Sequence, residues 1–282
     1  MKRKVIGILM TAVLAAGLLV GCGDQKEGGQ PQESASGQES QADSEAGDDK
    51  KTFTVGFDAE YPPYGYMDDD GQYTGFDLEL AEKVCEMEGW ELVKLPIDWN
   101  SKDMELNAGN IDCLWNGFTI NGREDKYEWS DPYVDNSQVI VVSEKSGITK
   151  LADLKDKTVG VQQASAALDV LTDADQQKDL GDSFKDLQQF ADYNVAFTEL
   201  QSGAIDALAI DVGVAKYQLE SRGDGYMILD EELNKEQYGI GFKLGNTELR
   251  DIVNADLHKL AEDGTVAELA EKYDIADMIC IK

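Results

Sequence analysis

The sequence has little of the side-chain chemistry that metal binding and catalysis usually require. It contains one histidine and four cysteines in 282 residues, and it has neither a Gly-x-Ser-x-Gly nor a His-Glu-x-x-His motif. The single histidine, His258, lies in ELRDIVNADLHKLAEDG, whose helical periodicity predicts a surface helix residue. No metal site and no cofactor are expected.

The cysteines do not form a recognisable framework. Besides Cys22 there are Cys85, Cys113 and Cys280, an odd number whose spacing fits no zinc site. Cys85 and Cys113 either pair or remain buried free thiols, and we favour free thiols.

Positive charge is also scarce. The chain has 25 Lys and Arg residues against 56 Asp and Glu residues, a formal net charge of −31. This balance argues against nucleic-acid binding and against electrostatic attachment to an anionic membrane. The negative net charge does not exclude binding of an anionic ligand group, because nearby side chains dominate the electrostatic field inside a closed cleft.

The one long apolar run is at the N-terminus. VIGILMTAVLAAGLLV follows the basic start MKRK and is short enough to indicate a secretory signal. The run ends in LVGC, which resembles the lipobox of bacterial lipoproteins. We therefore predict a signal peptide over 1–21 and a lipidated Cys22 as the mature N-terminus, with a plain secreted protein carrying a free Cys22 as the alternative.

Residues 22–51 are predicted to form a flexible acidic linker. From residue 23 onward this segment has no aromatic residue and no Leu, Ile or Val, so it has too little apolar surface to fold. The remaining chain, 52–282, is long enough for two lobes.

Two pairs of similar stretches occur in the same order along 52–282. FTVGFDAEYPPY at 53 matches KTVGVQQASA at 157, and LNAGNIDCLWNG (106–117) matches LQSGAIDALAID (200–211). The first pair predicts a short buried strand and a polar loop; the second predicts a helix end, a glycine and another strand. Two α/β lobes of similar topology are expected, with a ligand at the carboxyl ends of the strands.

These stretches, together with GFTINGRE, WSDPY, LADLKDKTVGVQQAS and EKY, resemble the extracellular solute-binding proteins of polar amino-acid ABC importers. The resemblance extends over essentially all of 52–282. It implies a two-lobed α/β fold of the periplasmic-binding-protein type 2, in which a mainly parallel sheet flanked by helices forms each lobe and the ligand lies in the interlobe cleft. Lobe 1 would comprise 52–138 and 237–282, and lobe 2 would comprise 139–236.

The resemblance also implies a set of ligand-binding residues. Arg123 would bind the ligand α-carboxylate, since a guanidinium can donate two parallel hydrogen bonds, and Asp211 would bind the α-ammonium. Without the resemblance, Arg123 could equally pair with Glu124 or Asp125 on the surface, and Asp211 could serve as a helix N-cap. The other implied residues are Asp58, Tyr61 and Trp99 around the ligand side chain, Asn116, Gly117 and Thr119 in the lobe 1 loop, and Ser165 and Ala166 at a helix start in lobe 2.

The function implied is capture of a polar amino acid by hinge closure and its delivery to an ABC importer permease. The protein would be a monomer without enzymatic activity, held by its lipid on the outer face of the cell membrane, or on the periplasmic side where an outer membrane exists. One alternative is a dehydratase-like enzyme on the same fold, with Asp58 or Glu60 as acid or base. Another is a ligand-sensing accessory protein.

We predict that Cys22→Ser prevents membrane anchoring, because a serine cannot carry the thioether-linked lipid. The variant should appear in the soluble fraction or remain unprocessed when cells are fractionated and the protein is detected by immunoblot. A Cys22→Ser protein that is processed normally and stays with the membrane would contradict the lipid anchor.

Overall fold

The computed structural model describes residues 50–282. The predicted signal peptide, Cys22 and nearly all of the predicted linker lie outside the described residues. Within 50–282, no helix combines the length and the apolar character that crossing a membrane requires.

Residues 50–282 form fourteen strands and eight α-helices. The strands are β1 (Thr52–Phe57), β2 (Glu60–Tyr61), β3 (Gly65–Met67), β4 (Tyr73–Thr74), β5 (Glu91–Pro96), β6 (Cys113–Leu114), β7 (Glu128–Trp129), β8 (Val134–Ser143), β9 (Thr158–Gln162), β10 (Asp186–Phe190), β11 (Ala207–Asp211), β12 (Tyr226–Ile228), β13 (Asn234–Tyr238) and β14 (Gly241–Phe242). The helices are α1 (Phe76–Glu88), α2 (Lys102–Ala108), α3 (Ala166–Thr172), α4 (Lys178–Asp182), α5 (Tyr193–Ser202), α6 (Val212–Arg222), α7 (Thr247–Glu262) and α8 (Thr265–Lys272).

The strands assemble into two large sheets and one small sheet. The first has the order β5-β1-β6-β14-β7, the second has the order β10-β9-β11-β8-β12 with β13 also paired to β8, and β2-β3-β4 form the third. In the first sheet β5, β1 and β6 are parallel, and in the second β10, β9 and β11 are parallel in the same order. The two-lobed α/β fold is confirmed, and the internal sequence match corresponds to these two equivalent strand triplets.

The repeated Thr and Asp residues make the same contact in both triplets. The Thr54 amide donates to Asp112 Oδ2 at 2.7 Å, and the Thr158 amide donates to Asp206 Oδ2 at 2.9 Å. In return the amide of each aspartate donates to the carbonyl of the same threonine at 2.8 Å. Each Thr-Val-Gly strand is thus joined at its start to the matching Ile-Asp strand, which explains why both stretches recur together.

The repeated glycine and isoleucine also belong together. A Cβ added to Gly56 would overlap the Ile111 side chain, and one added to Gly160 would lie 2.5 Å from Ile205 Cδ1. Each isoleucine is buried and fills the space that its glycine leaves over the sheet. A larger residue at either glycine would overpack this contact and displace the isoleucine side chain.

Both sheets are mixed rather than mainly parallel. β14 runs antiparallel to β6 and β7 in the first sheet, and β8 runs antiparallel to β11, β12 and β13 in the second. β8 and β13 lie side by side, with Gln138 opposite Asn234 and Val134 opposite Tyr238. Both predicted lobe boundaries lie within these two strands. The exact lobe boundaries at 138/139 and 236/237 stay predictions.

Several smaller expectations agree with the structure. The apolar face of α1 is buried, and Gly89 ends that helix with φ 68°. Cys85 and Cys113 are buried free thiols. His258 lies on α7 with its side chain partly exposed and its Nε2 atom 2.8 Å from Asp131 Oδ2, as expected for a surface helix residue.

Candidate ligand-binding site

A small cavity lies where β1, β6, β9 and β11 end, and the space open inside it is about 10 Å³. This volume holds about one water molecule, so the walls must move apart to admit a larger ligand. Nine of the ten predicted ligand-binding residues line it, and Asp58 is the exception. The lining residues are Tyr61, Trp99, Asn116, Gly117, Phe118, Thr119, Arg123, Gln162, Ser165, Ala166 and Asp211.

Arg123 is buried in the cavity wall, with only 5% of its surface exposed. Its guanidinium lies 5.4 Å from the centre of the Phe118 ring, and Nη2 donates to Asp169 Oδ2 at 2.7 Å. Asp169 belongs to α3, on the opposite side of the cleft, so the surface pairing with adjacent acidic residues is wrong. Nη1 donates to the Thr119 carbonyl at 3.5 Å, and the other guanidinium N–H groups have no partner within 50–282. A ligand carboxylate therefore still has donors to engage.

Asp211 is a buried carboxylate that receives hydrogen bonds from several elements. Its Oδ1 accepts from Tyr238 Oη and Gln138 Nε2, both at 2.6 Å, and from Asn136 Nδ2 at 2.9 Å. Its Oδ2 has a single, longer contact with Tyr193 Oη at 3.3 Å. Asp211 precedes α6 but makes no side-chain capping bond. Oδ2 therefore retains the capacity to accept a hydrogen bond from a ligand.

Glu236 is a second buried acid that shares its donors with Asp211. Its Oε1 accepts from Asn136 Nδ2, Gln138 Nε2 and Thr119 Oγ1, each at 2.8 Å. Burial and the nearby Asp211 charge raise the pKa of Glu236. Because Thr119 donates its hydroxyl hydrogen to Glu236, the donor that it can still offer a ligand is its backbone amide, which has no partner within 50–282.

The loop after β6 has a conformation that requires glycine. Gly117 has φ +56°, and an added Cβ would lie 2.9 Å from Tyr61 Cε1. Its amide donates to Asp77 Oδ2 at 2.6 Å, while the Asn116 side-chain oxygen accepts from the Asp58 amide at 2.9 Å. The Asp77 carboxylate, at the start of α1, therefore holds the loop after β6 in place through the Gly117 amide.

The start of α3 provides the unpaired amides that the sequence predicts. Ser165 is the N-cap, and its hydroxyl oxygen accepts from the Leu168 amide at 3.2 Å. The backbone amides of Ser165 and Ala166 have no hydrogen-bond partner within 50–282. Both residues line the cavity, so these donors are available to an anionic group.

Asp58 lies behind the cavity wall rather than in it. Its Oδ2 accepts from Gln162 Nε2 at 2.6 Å, and its Oδ1 accepts from the Glu60 amide at 2.9 Å. Burial raises the pKa of Asp58 to about 6. Gln162 is the residue that separates this carboxylate from the cavity, and contact between Asp58 and a ligand stays a prediction.

Aromatic rings form the rest of the wall. Tyr61 and Trp99 are less than 10% exposed, and Trp99 packs edge-on against Phe118 with 5.4 Å between the ring centres. Trp115, adjacent to this loop, is completely buried in the core and does not line the cavity.

Three residues near the cavity were not predicted as site residues: Phe118, Gln162 and Lys102. Lys102 is 5% exposed, and its Nζ donates to the Ala164 carbonyl across the cleft at 3.0 Å. Burial, and after it the Arg123 charge, lower the pKa of Lys102 to about 8. A lysine at a helix start usually indicates a solvated residue, so the sequence contains no signal for this contact. Together with Arg123–Asp169 and Asp58–Gln162, it holds the cleft closed.

The chain matches the bacterial extracellular solute-binding proteins, family 3, over residues 53–275. The chain belongs to this family. Its relatives bind amino acids for ABC transport, and the match confirms the prediction of a solute-binding protein rather than an enzyme.

Individual relatives of this solute-binding protein have different ligands in their names. The L-cystine-binding protein TcyJ of Escherichia coli (strain K12) is 30% identical over 233 residues, which cover 82% of this chain and 85% of TcyJ. An ABC uptake transporter substrate-binding protein from Streptococcus pneumoniae, solved with bound histidine, is 34% identical with a TM-score of 0.74, covering 79% of this chain and 92% of that one.

A second similar structure bears on the enzyme alternative. The ancestral amino-acid-binding protein AncCDT-1, described as a precursor of cyclohexadienyl dehydratase, is 31% identical with a TM-score of 0.71. The match covers 79% of this solute-binding protein and 95% of that chain.

We predict that Asp77→Asn removes a pH-dependent destabilisation. Burial raises the pKa of Asp77 from 3.8 to about 7, so the folded state holds a proton that the unfolded state has already lost between these values. The stability of the wild type should fall as pH rises through this window, by up to about 4 kcal/mol relative to Asp77→Asn. Urea unfolding of both proteins from pH 4 to pH 8 measures the difference, and a difference that does not change with pH would contradict this prediction.

Proposed function

We propose that the protein captures a free polar amino acid in the cavity by closure of its two lobes and delivers it to the permease of an ABC importer. The observation that carries the proposal is the presence of Arg123 and Asp211, two opposite charges, in the wall of one small buried cavity. An α-amino acid head group carries the complementary pair of charges.

The ligand carboxylate would take the donors that the protein leaves unused. These are the remaining guanidinium N–H groups of Arg123 and the backbone amides of Thr119 and of Ser165 and Ala166. The α-ammonium would donate to Asp211 Oδ2. Because the donors come from both sides of the cleft, a bound head group would stabilise the closed arrangement.

The ligand side chain would lie among Tyr61, Trp99 and Phe118, beside the amides of Asn116 and Gln162. Beyond Gln162, a groove is lined by Trp99 and by four acidic side chains, Asp58, Glu60, Asp98 and Asp192. Their negative potential disfavours an acidic ligand side chain and favours a neutral polar or cationic one. The cystine and histidine in the names of the relatives are consistent with this choice.

The cellular setting belongs to the same proposal. Lipidation of Cys22 would hold the protein at the outer face of the cell membrane, and the 22–51 linker would let both lobes reach the permease. The dehydratase alternative requires an acid or base beside the ligand. Its two candidates do not line the cavity: Asp58 is hydrogen-bonded to Gln162, and the Glu60 carboxylate accepts from Asn194.

Calorimetry with a panel of arginine, lysine, histidine, glutamine, cystine and glutamate tests the proposal, and incubation of each ligand followed by product analysis tests the enzyme. Tight binding of one neutral or cationic amino acid without turnover is expected. Formation of a new product would support the dehydratase instead.

We predict that the protein requires a free α-amino acid head group. The amide of the best ligand lacks the carboxylate charge, and its N-acetyl form lacks the ammonium. Each would leave Arg123 or Asp211 without its partner in a desolvated site, which costs several kcal/mol and exceeds what the aromatic contacts contribute. Equal affinity for all three forms by calorimetry would show that the cavity serves another ligand class.

We also predict that Arg123→Ala abolishes binding without unfolding the protein. Removing a charged partner from a desolvated site costs about 2–5 kcal/mol, which is roughly 30-fold to several thousand-fold in affinity. Asp169→Asn is the matched control, because it breaks the cross-cleft ion pair but leaves the guanidinium in place. It should bind at least ten times more tightly than Arg123→Ala. Unchanged affinity of Arg123→Ala would rule out its role in carboxylate binding.

A further inference from the structure

Tyr64 and Gly213 meet across the cleft, outside the cavity. Tyr64 lies in the loop between β2 and β3, where its amide donates to the Tyr61 carbonyl and its carbonyl accepts from the Asp77 amide. Gly213 is in the first turn of α6, two residues after Asp211. Both residues are buried. The contact joins the β2–β3 loop of lobe 1 to α6 of lobe 2.

The backbone conformation at position 213 does not explain why the residue is a glycine. Its φ is not positive, and a helical position of this kind favours alanine over glycine by about 1 kcal/mol. A Cβ added there, however, would lie 2.5 Å from Tyr64 Oη and 3.2 Å from both Tyr64 Cε2 and Cζ. The three nearest heavy atoms all belong to Tyr64, so this one side chain is what excludes a larger residue.

The Tyr64 hydroxyl contributes nothing else that the structure shows. It is completely buried and has no hydrogen-bond partner among the described residues. The ring itself is well packed, edge-on to Tyr238 at 5.3 Å and tilted to Tyr61 at 5.8 Å. The hydroxyl is thus a rigidly held atom that touches α6 at the point where Gly213 leaves room for it.

We propose that the Tyr64–Gly213 contact sets how closely the two lobes approach, and that Gly213 is thereby an affinity-determining position outside the ligand cavity. This inference rests on the proposed capture of an amino acid by closure. Closure brings Asp211 towards the lobe 1 loop that carries Arg123. Any atom added at Gly213 pushes the start of α6, and Asp211 with it, away from that loop.

The test is a double-mutant cycle of Gly213→Ala, Tyr64→Phe and the two combined, measured by calorimetry with the amino acid that the wild type binds best. Gly213→Ala should weaken binding roughly 5- to 150-fold, as expected for overpacking of a tight contact. Its ligand-free form should remain folded, since alanine suits the helix and the lobes can move apart to relieve the contact.

Tyr64→Phe removes the obstructing oxygen and leaves the ring in place. Alone it should bind at least as tightly as the wild type, because it also removes a buried hydroxyl without a partner. Combined with Gly213→Ala it should restore affinity to within about threefold of Tyr64→Phe, since the two changes act on one contact. Wild-type affinity of Gly213→Ala, or a double variant as weak as Gly213→Ala, would overturn the proposal.

Failure of the proposed function gives a different result. If the wild type binds no amino acid, small-angle X-ray scattering of the ligand-free proteins tests the contact directly. Gly213→Ala should then have a larger radius of gyration than the wild type, and the double variant should return to the wild-type value. Identical scattering of all four proteins would show that this contact does not limit closure.

Discussion

The buried carboxylate of Asp211 is the constraint on which much of the site depends. A charge removed from water must be matched by hydrogen bonds or it destabilises the fold by several kcal/mol. Here the donors come from Asn136 and Gln138 of β8 and from Tyr238 of β13, the two strands that link the sheets. These positions of the linking strands therefore need hydrogen-bond donors, because the acid that would bind the ligand depends on them. Movement of the lobes cannot leave that acid unaffected, because its partners lie on the linking strands themselves.

The same strands hold a second acid, Glu236, which increases the demand on the shared amides. Asn136 and Gln138 each donate to both carboxylates, so each amide uses both of its N–H groups. Thr119 adds a further donor to Glu236 from the lobe 1 loop. The binding loop and the linking strands thus form one polar network, and a polar network in a low-dielectric interior is stiff when all its donors are used.

Much of the architecture follows from short sequence patterns, because they encode contacts that repeat. The Thr-Val-Gly and Ile-Asp stretches predict two lobes, and the structure shows the reason in the reciprocal Thr54–Asp112 and Thr158–Asp206 hydrogen bonds. Residues at strand ends are predictable for the same reason, since parallel strands bring their carboxyl ends together. The contacts across the cleft cannot be predicted in this way, because Lys102 and Gln162 become buried only when two distant segments of the chain come together. Periodicity within one helix or strand carries no information about such a meeting.

The distribution of charge explains how an acidic protein can still accept a carboxylate. The chain has a net charge of −31, and its long-range field attracts cations and repels anions. Inside the cleft the local field has the opposite sign and attracts anions. Two cations, Arg123 and Lys102, lie close enough there for Arg123 to lower the Lys102 pKa. A zwitterion is compatible with both fields. Its net charge is near zero, so the long-range field does not repel it, and its carboxylate contacts the buried cations only after water has left the cleft. A free carboxylic acid without an ammonium group would be repelled on approach and would leave Asp211 unmatched on arrival, so the two fields together favour a ligand that carries both charges.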